Sequence, residues 1–363
     1  MKKDLIHRRE QILKELPLNS LAVFFAGDLV PSSADAHYPF VVNKNFYYLT
    51  SLEEDGLILL MQHTANGKKE TLFIKDDNPL MEKWIGRSIK EDEAIATSGI
   101  VNIMKLSEFE TVLNRLFLTN DISNFFIDSE RMSLKQAQTK ADRFTNEIKE
   151  AHPDLAITNL NKKINTLRRI KSKPEQDLMV KAMHVTHKGL NFILSQLKAG
   201  KTEYQVAADF SYVVQSENCT HAFDTIAASG EDACILHYVD NQKTLKDGDL
   251  ILLDLGASYQ NYASDITRTY PVSGKFTERQ KELYNIVLKA QLAVIDAIKP
   301  GVSFQFLNQI VKESYKMDCV RAKVIKREED VDQVYYHGVS HSLGLDTHDV
   351  GTLEGSKLEA GMV

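Results

Sequence analysis

The sequence predicts a two-domain chain of the α/β (α+β) class, on three observations. Short apolar runs and helical stretches mix through residues 1 to about 155. A basic segment with two prolines, 152–177, follows them. Beyond it, a helix–glycine–helix pattern occurs twice. A boundary near residue 160 gives domains 1–160 and 161–363, each within the usual range of about 50–250 residues.

In the first domain, MKKDLIHRREQILKEL is charged throughout and reads as an amphipathic helix. A secretory signal would need an unbroken apolar stretch after the basic start. LAVFFAG (21–27), GLILLMQ (56–62), TLFIK (71–75) and SNFFIDS (123–129) are short apolar runs bounded by polar residues or glycine, as buried strands are. Residues 132–150 read as a helix. No catalytic cluster is visible in this domain.

The second domain opens with a helix from Pro174, a residue suited to a first turn because the N–H it lacks has no partner there. The helix extends to about Lys198 and stops at Gly200. ILSQLKAGKTEYQVAADFSYVV (193–214) and VIDAIKPGVSFQFLNQIVKESY (294–315) then repeat one plan: helix end, glycine turn, Thr or Ser N-cap, new helix. Gly200 aligns with Gly301 and Thr202 with Ser303, and Thr202 with Gln205 has the spacing of a capping box. LKDGDLILLDLG (245–256) follows the first copy and LEAGMV (358–363) the second, each a polar turn with glycine entering an apolar strand. His237 lies 37 residues after Gly200, and His337 lies 36 after Gly301. Two similar halves facing each other would bring these elements to one central cleft.

Composition narrows the function. Apolar residues make up 43 % of the 363, enough for buried cores, and the net charge of −6 argues against the clustered basic face that nucleic acid needs. No apolar run approaches the roughly 20 residues of a membrane span. The three cysteines, Cys219, Cys234 and Cys319, are odd in number and form no CxxC. A disulfide framework or thiolate zinc site is therefore not expected, and a reducing cytoplasm is the default. Each cysteine is expected to be a small buried apolar residue.

The chemistry concentrates in the second domain. Asp254 ends the apolar run DLILLD, and Asp265 lies eleven residues on, across a Gly/Ser/Asn turn that implies a hairpin. A carboxylate at the end of such a run is costly to bury unless it is paired or bound to a metal. Two on one hairpin favour a cation. YYHGVSHSLGLDTHDVG (335–351) holds His337, His341 and His348, three of the chain's eleven histidines. Its HxxxH spacing lacks the internal glutamate of HExxH, and Gly338, Gly344 and Gly351 favour strand and loop over helix. One such histidine would usually be structural. Three, with two carboxylates available elsewhere, point to a metal or proton-transfer site. Oxygen-rich ligation with one imidazole suits Mn²⁺ or Co²⁺, whereas zinc more often takes nitrogen and sulfur. Two cations bridged by carboxylates could lower the pKa of a water and polarise a carbonyl, which is amide hydrolysis without a covalent intermediate. His237, in ASGEDACILHYVDN (228–241), is weak evidence alone and gains weight from its relation to His337.

ILHY with His237, DLGASYQNYASDITRTYPV with Asp254 and Asp265, and HGVSHSLGLDTHDVG with His337, His341 and His348 together resemble aminopeptidase P, the proline-specific branch of the pita-bread metallopeptidases. FFAGDLVPSSADAHYPFVVNKNFYYLTSLEEDGLILL (24–60) resembles that family's N-terminal domain, so the likeness covers nearly the whole chain. The resemblance implies a creatinase-like N-terminal domain followed by a pseudo-two-fold pita-bread catalytic domain. It implies release of the N-terminal residue from peptides with proline in second position, by metal-activated water. Asp254, Asp265 and His341 would be ligands of two divalent cations, Mn²⁺ ahead of Co²⁺ or Zn²⁺. His237, His337 and His348 would line the site, moving protons and binding substrate carbonyls. Phe223 would border the pocket of the N-terminal residue. Trp84, in EKWIGR, would reach a neighbouring subunit's site in a homodimer or tetramer.

The family's two remaining ligands are glutamates, one in a segment of the form GMVxTxEPG. Here that segment reads Gly361-Met362-Val363, where the sequence ends; Asp254 is six residues after Gly248, and its repeat counterpart would be six after Gly361. The expectation is a pita-bread domain incomplete at its C-terminus. It should have weak metal affinity, little or no peptidase activity from the 363 residues alone, and an unpaired strand edge near 358–363. Prolidase, restricted to Xaa-Pro dipeptides, is the near enzymatic alternative. Creatinase shares the fold, but Asp254 and Asp265 together count against it. A non-catalytic module that binds peptides or partner proteins is the alternative outside the enzymes.

Overall fold

The structure, a computed structural model, describes residues 1–131, 133, 135–351 and 355–363. The chain forms two compact units, Met1–Arg168 and Arg169–Val363. The division falls later than residue 160 because the helix Asn161–Arg169 ties itself to the first unit, where the Arg168 guanidinium donates to Asn45 Oδ1 at 2.8 Å.

The first unit is built on a six-stranded mixed sheet. Its strands lie in the order Ile103–Lys105, Gly67–Ile74, Ile58–Thr64, Ser20–Phe25, Asn124–Ile127, Ala156–Asn159. All four apolar runs read as strands are strands here. Ser20–Phe25, near the middle, is buried at every position, as a strand covered on both faces must be. The N-terminal helix spans Lys2–Glu15 and turns Leu5, Ile12 and Leu13 inward. The helix expected over 132–150 occupies only Lys140–Ala151, and Met132 and Leu134 lie outside the described residues. Its start is set by a capping box: Thr139 N–H donates to Asp142 Oδ2 at 2.9 Å, and Asp142 N–H donates to Thr139 Oγ1 at 3.2 Å. Trp84 sits on the short helix Pro79–Ile85, which buries none of its residues and leaves Trp84 79 % exposed.

The second unit opens with the helix Lys173–Gln196, Pro174 in its first turn and the Ser172 N–H bonded to Glu175 Oε2 at 2.8 Å. The two copies of the repeat match bond for bond. Gly200 N–H donates to Leu245 O at 2.9 Å and Leu245 N–H to Lys201 O at 2.8 Å; Gly301 N–H donates to Leu358 O at 2.8 Å and Leu358 N–H to Val302 O at 2.7 Å. Thr202 bridges to Thr244, and Ser303 bridges to Lys357. Gly200 and Gly301 turn through the left-handed region at φ 86° and 91°, where a side chain would be strained. A core of Ile193, Val206, Phe210, Ile251, Leu253 and Leu255 joins the helices of the first copy to a sheet.

Three expectations need correction. Residues 358–363 do not form an unpaired edge: besides the Leu358 bonds, Gly361 O accepts from Lys171 N–H at 2.8 Å and Val363 O from Leu343 N–H at 3.1 Å. The Thr202 capping box is half formed, because Thr202 N–H donates to Gln205 Oε1 at 3.0 Å while the buried Thr202 Oγ1 has no partner among the described residues. Cys219 and Cys319 are buried, but Cys234 is exposed on the 3₁₀ turn Gly230–Cys234; all three are free thiols. Among the described residues no helix is long and apolar enough to cross a membrane.

One buried acid gives the first unit a pH dependence. Asp128 is 5 % exposed and accepts from Asn45 Nδ2 at 2.9 Å. Burial pushes its carboxyl up to about 6. The folded state therefore holds this proton more tightly than the unfolded state. The stability it contributes is complete below the ordinary carboxylate range and is lost as pH rises through about 6. Melts from about pH 4 to about pH 7 should show first-unit stability falling by on the order of 2–3 kcal/mol. Asp128→Asn should flatten that fall, and a variant profile parallel to the parent's would exclude Asp128 as its source.

Candidate active site

The antiparallel strands Ile226–Ser229, Leu250–Leu255 and Ile266–Pro271 form the sheet beneath the site. Along the middle strand Ile251, Leu253 and Leu255 are fully buried, while Leu250, Leu252 and Asp254 alternate with them on the more open face. Strand alternation thus puts Asp254 on the partly open face of the strand, opposite the fully buried leucines and isoleucine. Asp254 stands opposite Thr267 and accepts from its Oγ1 at 2.8 Å. Asp265 directly precedes the strand Ile266–Pro271. Between the two carboxylates a small hairpin pairs Ala257–Tyr259 with Tyr262–Ala263 and turns at Gln260 and Asn261, both at positive φ. That two-residue turn matches the right-handed twist of its strands.

Gly256 lets the chain fold closely at the root of this hairpin. A Cβ there would lie 2.2 Å from Ser264 O and 2.5 Å from Phe223 Cε1. Phe223 therefore packs against Gly256, two residues along the chain from Asp254.

Asp254 and Asp265 are within hydrogen-bonding reach of each other. Burial pushes the Asp254 carboxyl up, the Thr267 hydrogen bond pulls it back, and the Asp265 charge adds to the rise. Two carboxylates in contact favour a shared proton or a cation. His341 meets them with Nε2 3.2 Å from Asp265 Oδ2. Its Nδ1 lies 3.0 Å from the Ser342 carbonyl oxygen, which can only accept, so Nδ1 carries a hydrogen and Nε2 faces the carboxylate. The hydrogen bond to Asp265 holds the His341 imidazole above its ordinary value. The pairing favours the imidazolium form, and a divalent cation is the alternative positive partner for the carboxylate. A backbone carbonyl that fixes the far nitrogen is the usual arrangement around a metal-binding histidine.

The His348 ring lies 4.4 Å from the His341 ring, edge-on at 84°, and 6.3 Å from the His237 ring. Desolvation and the His341 charge hold His348 below its ordinary value, which favours its uncharged form. His337 is not brought into the group. Its Nδ1 donates to Gly338 O at 2.8 Å and its ring meets Tyr335 and Tyr336, with no contact to Asp254, Asp265 or His341 among the described residues. Thr267 went unremarked in the sequence, although period-two alternation along DITRTY pairs it with Asp254.

Two carboxylates and an imidazole fit a divalent cation in kind. In number they fall short: among the described residues no group of three or more His, Cys, Asp or Glu side chains is arranged to hold a metal ion.

Comparison with known proteins gives the same class. Residues 177–363 match the model of metallopeptidase family M24, and residues 5–125 match the aminopeptidase P N-terminal domain. A Haemophilus influenzae Xaa-Pro aminopeptidase is 32 % identical over 374 aligned residues, covering 100 % of this chain and 84 % of the relative. A Bacillus anthracis structure assigned to aminopeptidase P aligns with TM-score 0.97 at 40 % identity, covering 99 % of this chain and 86 % of that one. Zinc-substituted Escherichia coli aminopeptidase P in complex with product aligns with TM-score 0.89 at 28 % identity, covering 100 % and 85 %. The chain belongs to metallopeptidase family M24, its pita-bread unit preceded by an aminopeptidase P N-terminal domain.

Gly256→Ala should open the hairpin root, lowering stability by about 1–3 kcal/mol and weakening Mn²⁺ uptake in the same samples. An unchanged melting temperature would mean that Ser264 O yields freely and the close approach constrains nothing.

Proposed function

We propose that this protein acts as a metal-dependent exopeptidase that releases the N-terminal residue from peptides with proline in second position. The observation that carries the reading is that Asp265, at the end of the hairpin, interacts with both Asp254 and the His341 imidazole. In this role Asp254 and Asp265 supply the negative charge for two divalent cations, Mn²⁺ ahead of Co²⁺ or Zn²⁺, and His341 presents Nε2 to them. Such cations, when bound, lower the pKa of a water and polarise a carbonyl. Thr267 orients Asp254 by its hydrogen bond. His348, held in its uncharged form, can accept a proton at a ring nitrogen and return it to the leaving proline nitrogen. His237, whose ring is 6.3 Å from that of His348, would bind a substrate carbonyl, and His337 would serve farther out. Phe223 forms an apolar wall for the N-terminal side chain.

The exposure of Trp84 supports its service as a contact between copies in a dimer or tetramer. Three free thiols accord with a reducing cytoplasm. Three candidate ligands are few for two cations, so Mn²⁺ binding through these side chains alone should be weak.

Asp265→Ala should abolish Mn²⁺ binding and turnover while melting near the parent protein. His348→Ala should cut turnover about 10²-fold or more and keep the Mn²⁺ affinity. Parent-level turnover in the Asp265 variant would remove the site assignment. Cleavage of an Xaa-Pro-Yaa tripeptide marks the aminopeptidase, and cleavage of the Xaa-Pro dipeptide alone would replace it with prolidase. Peptide binding undiminished by a chelator would replace both with a binding module.

A further inference from the structure

We propose that Lys171 is a positioning residue for the imidazoles of the site, acting through a buried ion pair with Asp349 that sets the 341–349 loop against the Asp265 hairpin. The inference rests on the reading of Asp265, His341 and His348 as working side chains. In the sequence Lys171 is one more cation of the basic segment 152–177. In the fold its Nζ lies 2.9 Å from Asp349 Oδ2, with the two side chains 2 % and 1 % exposed. A charge pair so enclosed disfavours other arrangements, because separating it would leave the buried Lys171 ammonium without its carboxylate.

The pair reaches the imidazoles through the backbone. Asp349 directly follows His348. Its N–H donates at 2.9 Å to the Ser342 carbonyl, the same oxygen that accepts His341 Nδ1 at 3.0 Å. Moving Asp349 therefore moves both His348 and the acceptor that fixes which nitrogen His341 presents. Beneath the pair lies Gly344, where a Cβ would stand 2.2 Å from Asp349 Oδ2 and 2.9 Å from Lys171 Cε. The ion pair closes over a residue with no side chain, and only then does the loop lie this close. Gly344 O in turn accepts Ala263 N–H at 2.8 Å, two residues before Asp265. One buried contact is thus tied to both sides of the His341–Asp265 approach. Lys171 is itself anchored, its N–H on Gly361 O at 2.8 Å and its carbonyl accepting Gln176 Nε2 at 2.9 Å.

The test uses the 363-residue chain with Mn²⁺ alone as probe, the free ion followed by electron paramagnetic resonance. Lys171→Met should weaken Mn²⁺ binding about tenfold or more. It should also shift the His341 Nδ1–H signal in nitrogen–proton spectra and speed amide exchange at Asp349 and Ala263, with Leu253 on the core strand unaffected. Should that variant fail to fold, Lys171→Met with Asp349→Leu removes both charges of the pair. The double variant should melt cooperatively and still bind Mn²⁺ about tenfold more weakly. Parent-level Mn²⁺ affinity with an unmoved His341 signal in either variant, or exchange accelerated equally at Leu253, overturns the proposal, since the pair would then only stabilise the fold. A His341→Ala chain with unaltered Mn²⁺ affinity would sink the functional reading beneath it instead, so the two failures are told apart.

Discussion

Two carboxylates in contact cannot both stay ionised without a positive partner, and the second unit is organised around that constraint. Asp254 and Asp265 meet because their strands pair and Gly256 permits the close turn between them. The electrostatics favour positive charge there: burial and the Asp265 charge raise the Asp254 carboxyl, and the hydrogen bond to Asp265 raises the His341 imidazole. Both shifts describe the same demand for positive charge at one point. A divalent cation is the other means by which paired carboxylates can be supplied with positive charge. Metal affinity at such a site falls with acidity, because cation and proton compete for the same atoms.

The duplicated backbone explains how one chain brings unlike groups to this point. Each copy turns at a left-handed glycine and returns through the same pair of backbone hydrogen bonds, Gly200 with Leu245 and Gly301 with Leu358. The first copy supplies Asp254 on a strand, Asp265 just before the next strand, and His237 on the loop before both. The second supplies His341 and His348. A repeated frame can therefore diverge in side chains while its turns, set by glycine and by backbone bonds, stay alike.

Much of this was legible in the sequence, for reasons that differ by element. The strands of the first unit were readable because continuous apolar runs bounded by turn residues have few other uses. The repeat and the hairpin were readable from glycine spacing and from the Gly/Ser/Asn turn between Asp254 and Asp265. The first turn of the helix Lys140–Ala151 was not, because its start depends on which Thr–Asp pair closes a box. Nor was the exposure of Cys234, which follows from a 3₁₀ turn that composition does not signal. The Lys171–Asp349 pair was the least accessible: its partners are 178 residues apart, and each looks like an ordinary surface charge in its own segment.

The site divides its labour between rigid and irregular elements, and that division explains why it needs buried polar anchors. Asp254 sits on a strand whose ladder fixes it. The imidazoles sit on segments with no regular structure, where apolar packing alone would allow sliding. A directional contact removes that freedom, because hydrogen bonds and ion pairs have preferred geometries and apolar contacts do not. The His237 segment shows the same solution. The buried Glu203 carboxylate accepts from Ser229 N–H at 2.7 Å, Ser229 Oγ at 2.7 Å, Tyr238 OH at 2.9 Å and Lys243 N–H at 2.9 Å, bracketing His237 on both sides. Desolvation and this carboxylate are among the effects that push the Tyr238 phenol up to about 12, so it remains a donor throughout the physiological range. Each imidazole-bearing loop is thus held one residue beyond its histidine, by Tyr238 after His237 and by Asp349 after His348. Replacing either anchor with apolar contacts of equal volume could preserve stability. It would surrender the direction in which the ring points, and direction is what a proton-transfer site requires.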